Sequence, residues 1–360
     1  MHDLHNLLLS LSLFFFVEAA STACIIPEDN LNSKNVYLSG SNGNFDIQRS
    51  DIVAAGKSVH LLCEEGIYQT AFACQNNVFN PPLLTSNCAR GVKASVKPIR
   101  DSSCPSPHLT YAVGIRVGTH FFELYRNCFD GEHLALKHSI YMAYRYIHSA
   151  PRPAAYFTTD GIMTVAQASA YKANKYQACL STYLGAGQPN CELDRGHLTP
   201  SSAFIFKEFR KSTDKYLNVV PQNKLVNIGN WKNIEAWVNN LVMGRYDTHR
   251  RTYDVLKVCT GALGVHELRH SNNNRVLIYL LGHKIPLPKW TYKIVGHLSG
   301  DKWVILTYND VNPPSRQDLN QVCTTTNCHP NLNLNGVGYT VCCNPYDFVL
   351  RNINHLSGIC

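Results

Sequence analysis

Asp194-Arg-Gly-His197, followed after a short interval by Asn218-Val-Val-Pro-Gln-Asn-Lys-Leu-Val-Asn227-Ile-Gly-Asn-Trp231-Lys-Asn-Ile-Glu235, is the stretch whose reading decides the fold. Apolar residues flank the first tetrapeptide, and Tyr216 to Val220 reads as a short strand that ends in a Pro221-Gln222 turn. From Asn227 onward, Trp231, Ile234 and Val238 recur at helical spacing, so one side of an amphipathic helix faces inward. Two strands packed on one helix are expected, arranged to hold a metal ion where they meet.

These residues resemble the ββα-metal DNA/RNA non-specific endonucleases. That family's pattern is DRGH, an asparagine on the next strand before Pro-Gln, and then an asparagine, a tryptophan and a glutamate along one helix. Each position is filled here, by Asp194 to His197, Asn218, Pro221-Gln222, Asn227, Trp231 and Glu235. Within the family the chain looks most like the secreted nucleases of insect guts that degrade double-stranded RNA, which also carry a cysteine-rich region ahead of the core.

The chemistry of the residues agrees with the resemblance. Phosphodiester hydrolysis needs an activated water, neutralisation of charge growing on phosphoryl oxygens, and help for the departing oxygen. His197 is the candidate general base, because an imidazole titrating near 6.5 can take a proton at neutral pH. Asn227 is the candidate metal ligand through its side-chain oxygen, since Mg²⁺, or Mn²⁺ in its place, prefers oxygen donors and keeps several waters. A helix N-cap is the bland alternative for an asparagine at that place. The resemblance implies that Glu235 bonds a metal-bound water and steers a neighbouring arginine, and that Asn218 supports the water cluster. Arg195 and Arg152 are the candidate phosphate clamps, Arg152 by its place after a strand in an Arg-Pro context. Asp194 is expected to anchor its loop as a hydrogen-bond acceptor rather than to bind metal.

Outward from this stretch, Leu7 to Val17 is apolar but too short to span a bilayer, and small residues follow from Ala19 to Ala23. Residues 1–23 therefore read as a signal peptide, although the stretch before the apolar run lacks Lys and Arg. All 14 cysteines lie beyond the apolar run, and an even count in a chain that enters the secretory route points to disulfides. Zinc is the competing use, with Cys323, Cys328, His329, Cys342 and Cys343 as candidates. A formal charge of +8 suits a polyanionic partner such as RNA or DNA.

Residues 24–105 contain Cys24, Cys63, Cys74, Cys88 and Cys104 among short alternating runs and turn signals, so a small disulfide-stapled β module is expected. An auxiliary nucleic-acid surface and a structural cap are equally open for it. Residues 106–360 read as the nuclease domain, with strands near Tyr111 to Val117, Phe121 to Tyr125, Ser139 to Tyr146, Tyr253 to Thr260, Arg275 to Leu281, Trp290 to Val295 and Trp303 to Leu306. Helical character is expected around Ala166 to Cys179, and a cysteine-rich tail from Cys323. The fold class is α+β, a mixed and mostly antiparallel sheet with the metal helix packed against it.

His266-Glu267-Leu-Arg-His270 matches the HExxH of zinc proteases, which requires a helix to bring both histidines onto one face. Gly261-Ala-Leu-Gly264 before it and Ser271-Asn-Asn-Asn274 after it are loop signals, so a chance match is expected. The reading from sequence is a secreted Mg²⁺-dependent endonuclease of low sequence preference, acting on RNA, double-stranded RNA included, and on DNA, with 5′-phosphate products. The alternative is a secreted nucleic-acid-binding protein on the same fold without activity.

Overall fold

The computed structural model describes residues 23–41, 43–83, 88–149, 151–172, 192–246, 253–269 and 274–360. Residues 1–22 of the expected signal peptide, and the half of the helix expected over Ala166 to Cys179 that begins at residue 173, lie outside the described residues. What is described of that helix is one turn, Val165–Ala168, capped by Thr164, and a 3₁₀ turn over Ser169–Tyr171.

Runs rich in Val, Ile and Tyr build a nine-stranded sheet, as such residues pack well on a pleated surface. Its order is Thr325–Thr326, Thr340–Cys343, Lys302–Tyr308, Pro288–Gly296, Val255–Val265, Ala135–Tyr144, His120–Asp130, Leu109–Val117 and Ala94–Ile99, and all neighbours are antiparallel. Successive side chains leave a strand on opposite faces, and both faces of the middle strands are covered. Val258, Val295 and Ile305 join the core that contains Trp231, Ile234, Trp237 and Val238. Cys259, Ile294 and Leu306 join the opposite core, with Phe348 and Val349 of the helix Pro345–Asn352. Trp237 meets Trp303 edge to face at 5.7 Å.

The segments that carry the site pack on the first face. Leu193–His197 pairs antiparallel with Val219–Asn223, with His197 opposite Val219 and Asp194 opposite Gln222. The strand thus runs through Pro221-Gln222, where the sequence suggested a turn. Proline is tolerated in so short a ribbon, where few ladder bonds depend on its missing N–H. The expected strand start at Tyr216 is instead a 3₁₀ turn, Tyr216–Asn218.

The helix that follows is capped by Asn223, whose side chain accepts from the N–H groups of Leu225 and Val226. The N-cap alternative for Asn227 therefore falls to its neighbour four positions earlier. A turn at Lys224–Val226 widens into a π turn over Asn227–Trp231 before the regular helix Lys232–Val242. Gly229 breaks helical geometry there, with φ −92° and ψ −120°. The cause is a tail segment lying against it: Asn230 N donates to Val337 O at 2.9 Å, Asn230 Nδ2 to Gly338 O at 2.6 Å, and Gly336 N to Asn230 Oδ1 at 2.8 Å. A Cβ on Gly229 would lie 2.4 Å from Val337 O.

Disulfides close the edges. Cys24–Cys74 and Cys63–Cys88 staple the N-terminal five-stranded sheet, ordered Asn44–Ile47, Val36–Ser41, Ser58–Cys63, Gly66–Gln75 and Val78–Asn80. Cys104, counted with that module in the sequence, instead bridges Cys128 of the central sheet, and Ala94–Ile99 is that sheet's edge strand. The central sheet thus begins at Ala94, ahead of a division at residue 105. Cys323–Cys343, Cys328–Cys342 and Cys259–Cys360 tie down the tail, which removes these cysteines from any zinc site. The HExxH match also fails on geometry. Glu267–Arg269 is a strand paired with Arg275–Leu277, and His266 Nε2 is bonded to Asp310 at 3.0 Å, while His270 lies outside the described residues.

Gly229→Ala should destabilise the fold by about 1–3 kcal/mol, because the added methyl must displace Val337 backbone. A thermal or urea unfolding curve unchanged from the parent would show that the tail does not hold this turn.

Candidate active site

The Asp194–His197 strand sorts its side chains by alternation. Arg195 and His197 share one side, where the Arg195 guanidinium lies 3.9 Å from the Phe157 ring centre and the His197 ring 5.5 Å from it. Asp194 and Gly196 leave on the other side. Gly196 is needed as glycine, because a Cβ there would meet Gln222 Oε1 at 2.2 Å and Gln222 Cβ at 2.7 Å.

His197 is almost wholly buried, and its Nε2 lies 3.2 Å from Asp214 Oδ1. Asp214 is itself buried at 3% exposure and also takes Arg152 Nη2 at 3.4 Å and the N–H of Tyr156 at 3.2 Å. Sequence reading passed over this aspartate: it belongs to no part of the DRGH pattern, and an acid in Thr-Asp-Lys looks like a surface turn. Burial lowers the His197 pKa below its usual 6.5, an effect the Asp214 bond opposes. For Asp214 burial works against ionisation, and the His197 bond, the Arg152 charge and the Tyr156 N–H outweigh it and hold the carboxyl below its usual range. A neutral imidazole beside a fixed carboxylate results, with Nε2–H held by Asp214 and Nδ1 as the basic nitrogen.

Arg152 is brought here by the N-terminal module. The buried Asp51 carboxylate accepts the N–H groups of Ile147 and His148, fixing the turn from which the Arg152 segment departs. The Arg152 side chain stays half exposed, at 53%. Its charge reaches Glu235 as well as His197.

Asn227 connects to the same strand through Asp194: its Nδ2 donates to Asp194 Oδ2 at 3.1 Å. Asp194 is an acceptor here, and the amide is oriented with Oδ1 turned away from the carboxylate. Asn227 is half buried, less so than Trp231, Ile234 and Val238 on the stripe it was expected to share, since the π turn shifts it. Gln222, opposite Asp194 in the ribbon, is 1% exposed with neither amide atom hydrogen-bonded among the described residues. A buried amide in that state calls for a polar partner. A divalent cation fits Asn227 on donor chemistry, because its Oδ1 is a hard oxygen donor. Among the described residues there is no group of three or more His, Cys, Asp or Glu side chains that could hold a metal.

Glu235 lies two turns further along the helix. Burial pushes its pKa up to about 7, while the charges of Lys293, Arg152 and Lys232 act in the other direction. Lys293, fully buried, donates to Thr260 Oγ1 at 2.8 Å and lies 4.9 Å from the Trp231 ring centre. Burial lowers it to about 8, and the Glu235 charge opposes that. Lysine and glutamate so placed stabilise each other's charged forms. The charges that act on Glu235 come from Lys293 of the strand Pro288–Gly296, from Arg152 and from Lys232.

Asn218 does not face a water cluster. It is wholly buried, with Oδ1 accepting from Thr199 N at 3.1 Å and Nδ2 donating to Thr199 O and Thr213 O, both at 2.9 Å. The expected role is corrected to a clamp: all its polar atoms are occupied by the segments that follow His197 and precede Asp214. It thereby ties the segment after His197 to the segment before Asp214.

The model of the DNA/RNA non-specific endonuclease family matches residues 104–348. The chain belongs to that family. It is also 25% identical over 365 residues to a salivary endonuclease of Lutzomyia longipalpis, covering 93% of this chain and 84% of the relative. A chain in the crystal structure of the EndoG/EndoGI complex overlays with a TM-score of 0.37 at 18% identity, over 52% of this chain and 72% of that one. This protein is thus a nuclease, a hydrolase of the non-specific DNA/RNA endonuclease type. The family match leaves the whole N-terminal five-stranded sheet outside it.

In this endonuclease, Asp214→Asn should lower kcat by roughly 10²-fold or more, as in other sites where a carboxylate orients a catalytic imidazole. Because Asp214 raises the His197 pKa, its loss should also move the acid limb of the kcat/KM profile to lower pH. An unchanged limb with unchanged kcat would show that Asp214 does not act on the base.

Proposed function

We propose that the protein is a secreted endonuclease, dependent on a divalent cation, that cuts RNA and DNA with little sequence preference and leaves 5′-phosphate ends. The observation that carries this reading is the bond between the buried His197 ring and Asp214, on a strand whose other end touches Asn227. His197 Nδ1 accepts the proton of the attacking water, and Asp214 holds the ring and stabilises the imidazolium that forms. Arg195, braced on Phe157, and Arg152, braced on Asp214, hold phosphate oxygens with fixed guanidinium donors. Asn227 Oδ1, with Glu235 behind it, is where Mg²⁺ or Mn²⁺ would be held. When bound, that ion supplies charge neutralisation at the phosphoryl and leaving oxygens. Low sequence preference follows when contacts go to phosphates rather than base edges.

Secretion is supported by the disulfides, by the salivary relative and by the apolar run Leu7 to Val17. Double-stranded RNA is included among the substrates because the cysteine-stapled module ahead of the core resembles that of the insect gut nucleases. No helix among the described residues is long and apolar enough to cross a membrane.

Purified protein should digest double-stranded RNA, single-stranded RNA and plasmid DNA, and EDTA should stop all three. His197→Ala should reduce cutting by about 10²–10⁴-fold, the usual range for a lost general base. Cleavage that persists in EDTA would overturn the metal dependence, and unchanged cleavage by the variant would remove His197 from the role of base.

A further inference from the structure

Between the N-terminal module and the nuclease core runs a groove of about 550 Å³. One wall carries Arg90 and Lys93 of the module, the other Tyr156 and Lys211 of the core, and Asp214 lines it as well. The groove therefore borders the aspartate that holds His197. Module and core meet closely along it: a Cβ on Gly91 would come within 2.8 Å of the Glu208 carboxyl carbon.

Its acids and bases differ in what they show to solvent. Glu208 and Asp214 are buried, at 8% and 3%, Asp160 is at 14%, and each is tied to a cation. The Arg90 and Lys93 side chains are 72% and 82% exposed; Glu64, 32% exposed, lies near both, and Glu65, 46% exposed, lies 3.8 Å from Arg90. Ion pairs so exposed are weak and leave the cations free to exchange partners. A ligand entering the groove thus meets a basic rim, and the net positive charge of the whole chain favours an anion there. Tyr156 adds a second feature. Its ring is 80% exposed, while its N–H is pinned to Asp214 Oδ2 at 3.2 Å, so a large aromatic face is held open beside the reaction centre.

We propose that the groove binds a single strand of nucleic acid leaving the scissile phosphate, its phosphates against Arg90 and Lys93 and one base stacked on Tyr156. This rests on the nuclease reading above and makes the N-terminal module a part of the substrate site. A base can reach Tyr156 only when unstacked from a partner strand, so single strands are the ligand, and stacking tolerates any sequence.

The test measures binding of a 20-nucleotide single strand in EDTA across a range of NaCl concentrations, alongside KM for that strand and for a trinucleotide with the metal present. Each phosphate contact to single-stranded nucleic acid contributes about 0.7 to the slope of log affinity against log salt. Arg90→Ala with Lys93→Ala should therefore lower that slope by about 1.4 and raise KM for the long strand more than for the trinucleotide. Lys57→Ala with Arg316→Ala changes net charge equally outside the groove and should leave the slope as it is. Tyr156→Ala should weaken binding on the order of tenfold, Tyr156→Phe should restore it, and an oligomer abasic throughout should not distinguish the two. A slope unchanged in the Arg90 and Lys93 variant, or equal losses on abasic and normal strands in Tyr156→Ala, would overturn the proposal, as would the same losses appearing only on duplexes. Parent protein that binds the strand but never cuts it would sink the nuclease reading alone. Parent protein that cuts while these variants match it would sink only the groove.

Discussion

The site depends on one close approach, that of Gly196 to the Gln222 side chain. Lacking a Cβ, residue 196 leaves room for the Gln222 side chain to fold over it where Leu193–His197 pairs with Val219–Asn223. That pairing fixes the register, and the register fixes which side chains face which way. Arg195 and His197 go to Phe157 and Asp214, while Asp194 goes to Asn227. A shift of one residue would exchange the two sets and leave His197 without Asp214.

The second constraint comes from the far end of the chain. Residues 336–338 fill the opening of the π turn at Asn227–Trp231 and bond to Asn230 on three sides. They are held in turn between disulfides that join Cys323 to Cys343 and Cys328 to Cys342. The candidate metal ligand thus sits at a defect in its helix that is stabilised by a stapled tail. π turns cost backbone stability and persist where tertiary contacts compensate, commonly at functional sites.

Charge within the site is arranged by burial. The Arg152 side chain is half exposed, while Lys293 is fully buried and its charge acts on the partly buried Glu235. Opposite charges so placed contribute little to stability, since desolvation offsets their attraction. Their effect is on state: the lysine charge keeps a glutamate that burial alone would protonate closer to ionised.

The sequence by itself determined the class of fold and the nuclease stretch, because hydrophobic period and a local motif are both written in neighbouring residues. Tyr111 to Val117, Phe121 to Tyr125 and Trp290 to Val295 read as strands from their alternation, and each lies within a longer strand of the sheet. His197, Arg195 and Asn227 could be picked out for the same local reason. What only the tertiary structure decided are the partners that come from elsewhere: Asp214 on His197, Lys293 on Glu235, Val337 against Gly229, Cys128 on Cys104 and the module residue Asp51 behind the Arg152 segment. None of these has a spacing to betray it, since contact across a fold carries no period along the chain. Asn218 shows the limit most plainly: its motif position was legible, and its use as a clamp between Thr199 and Thr213 appears only once the chain is folded around it.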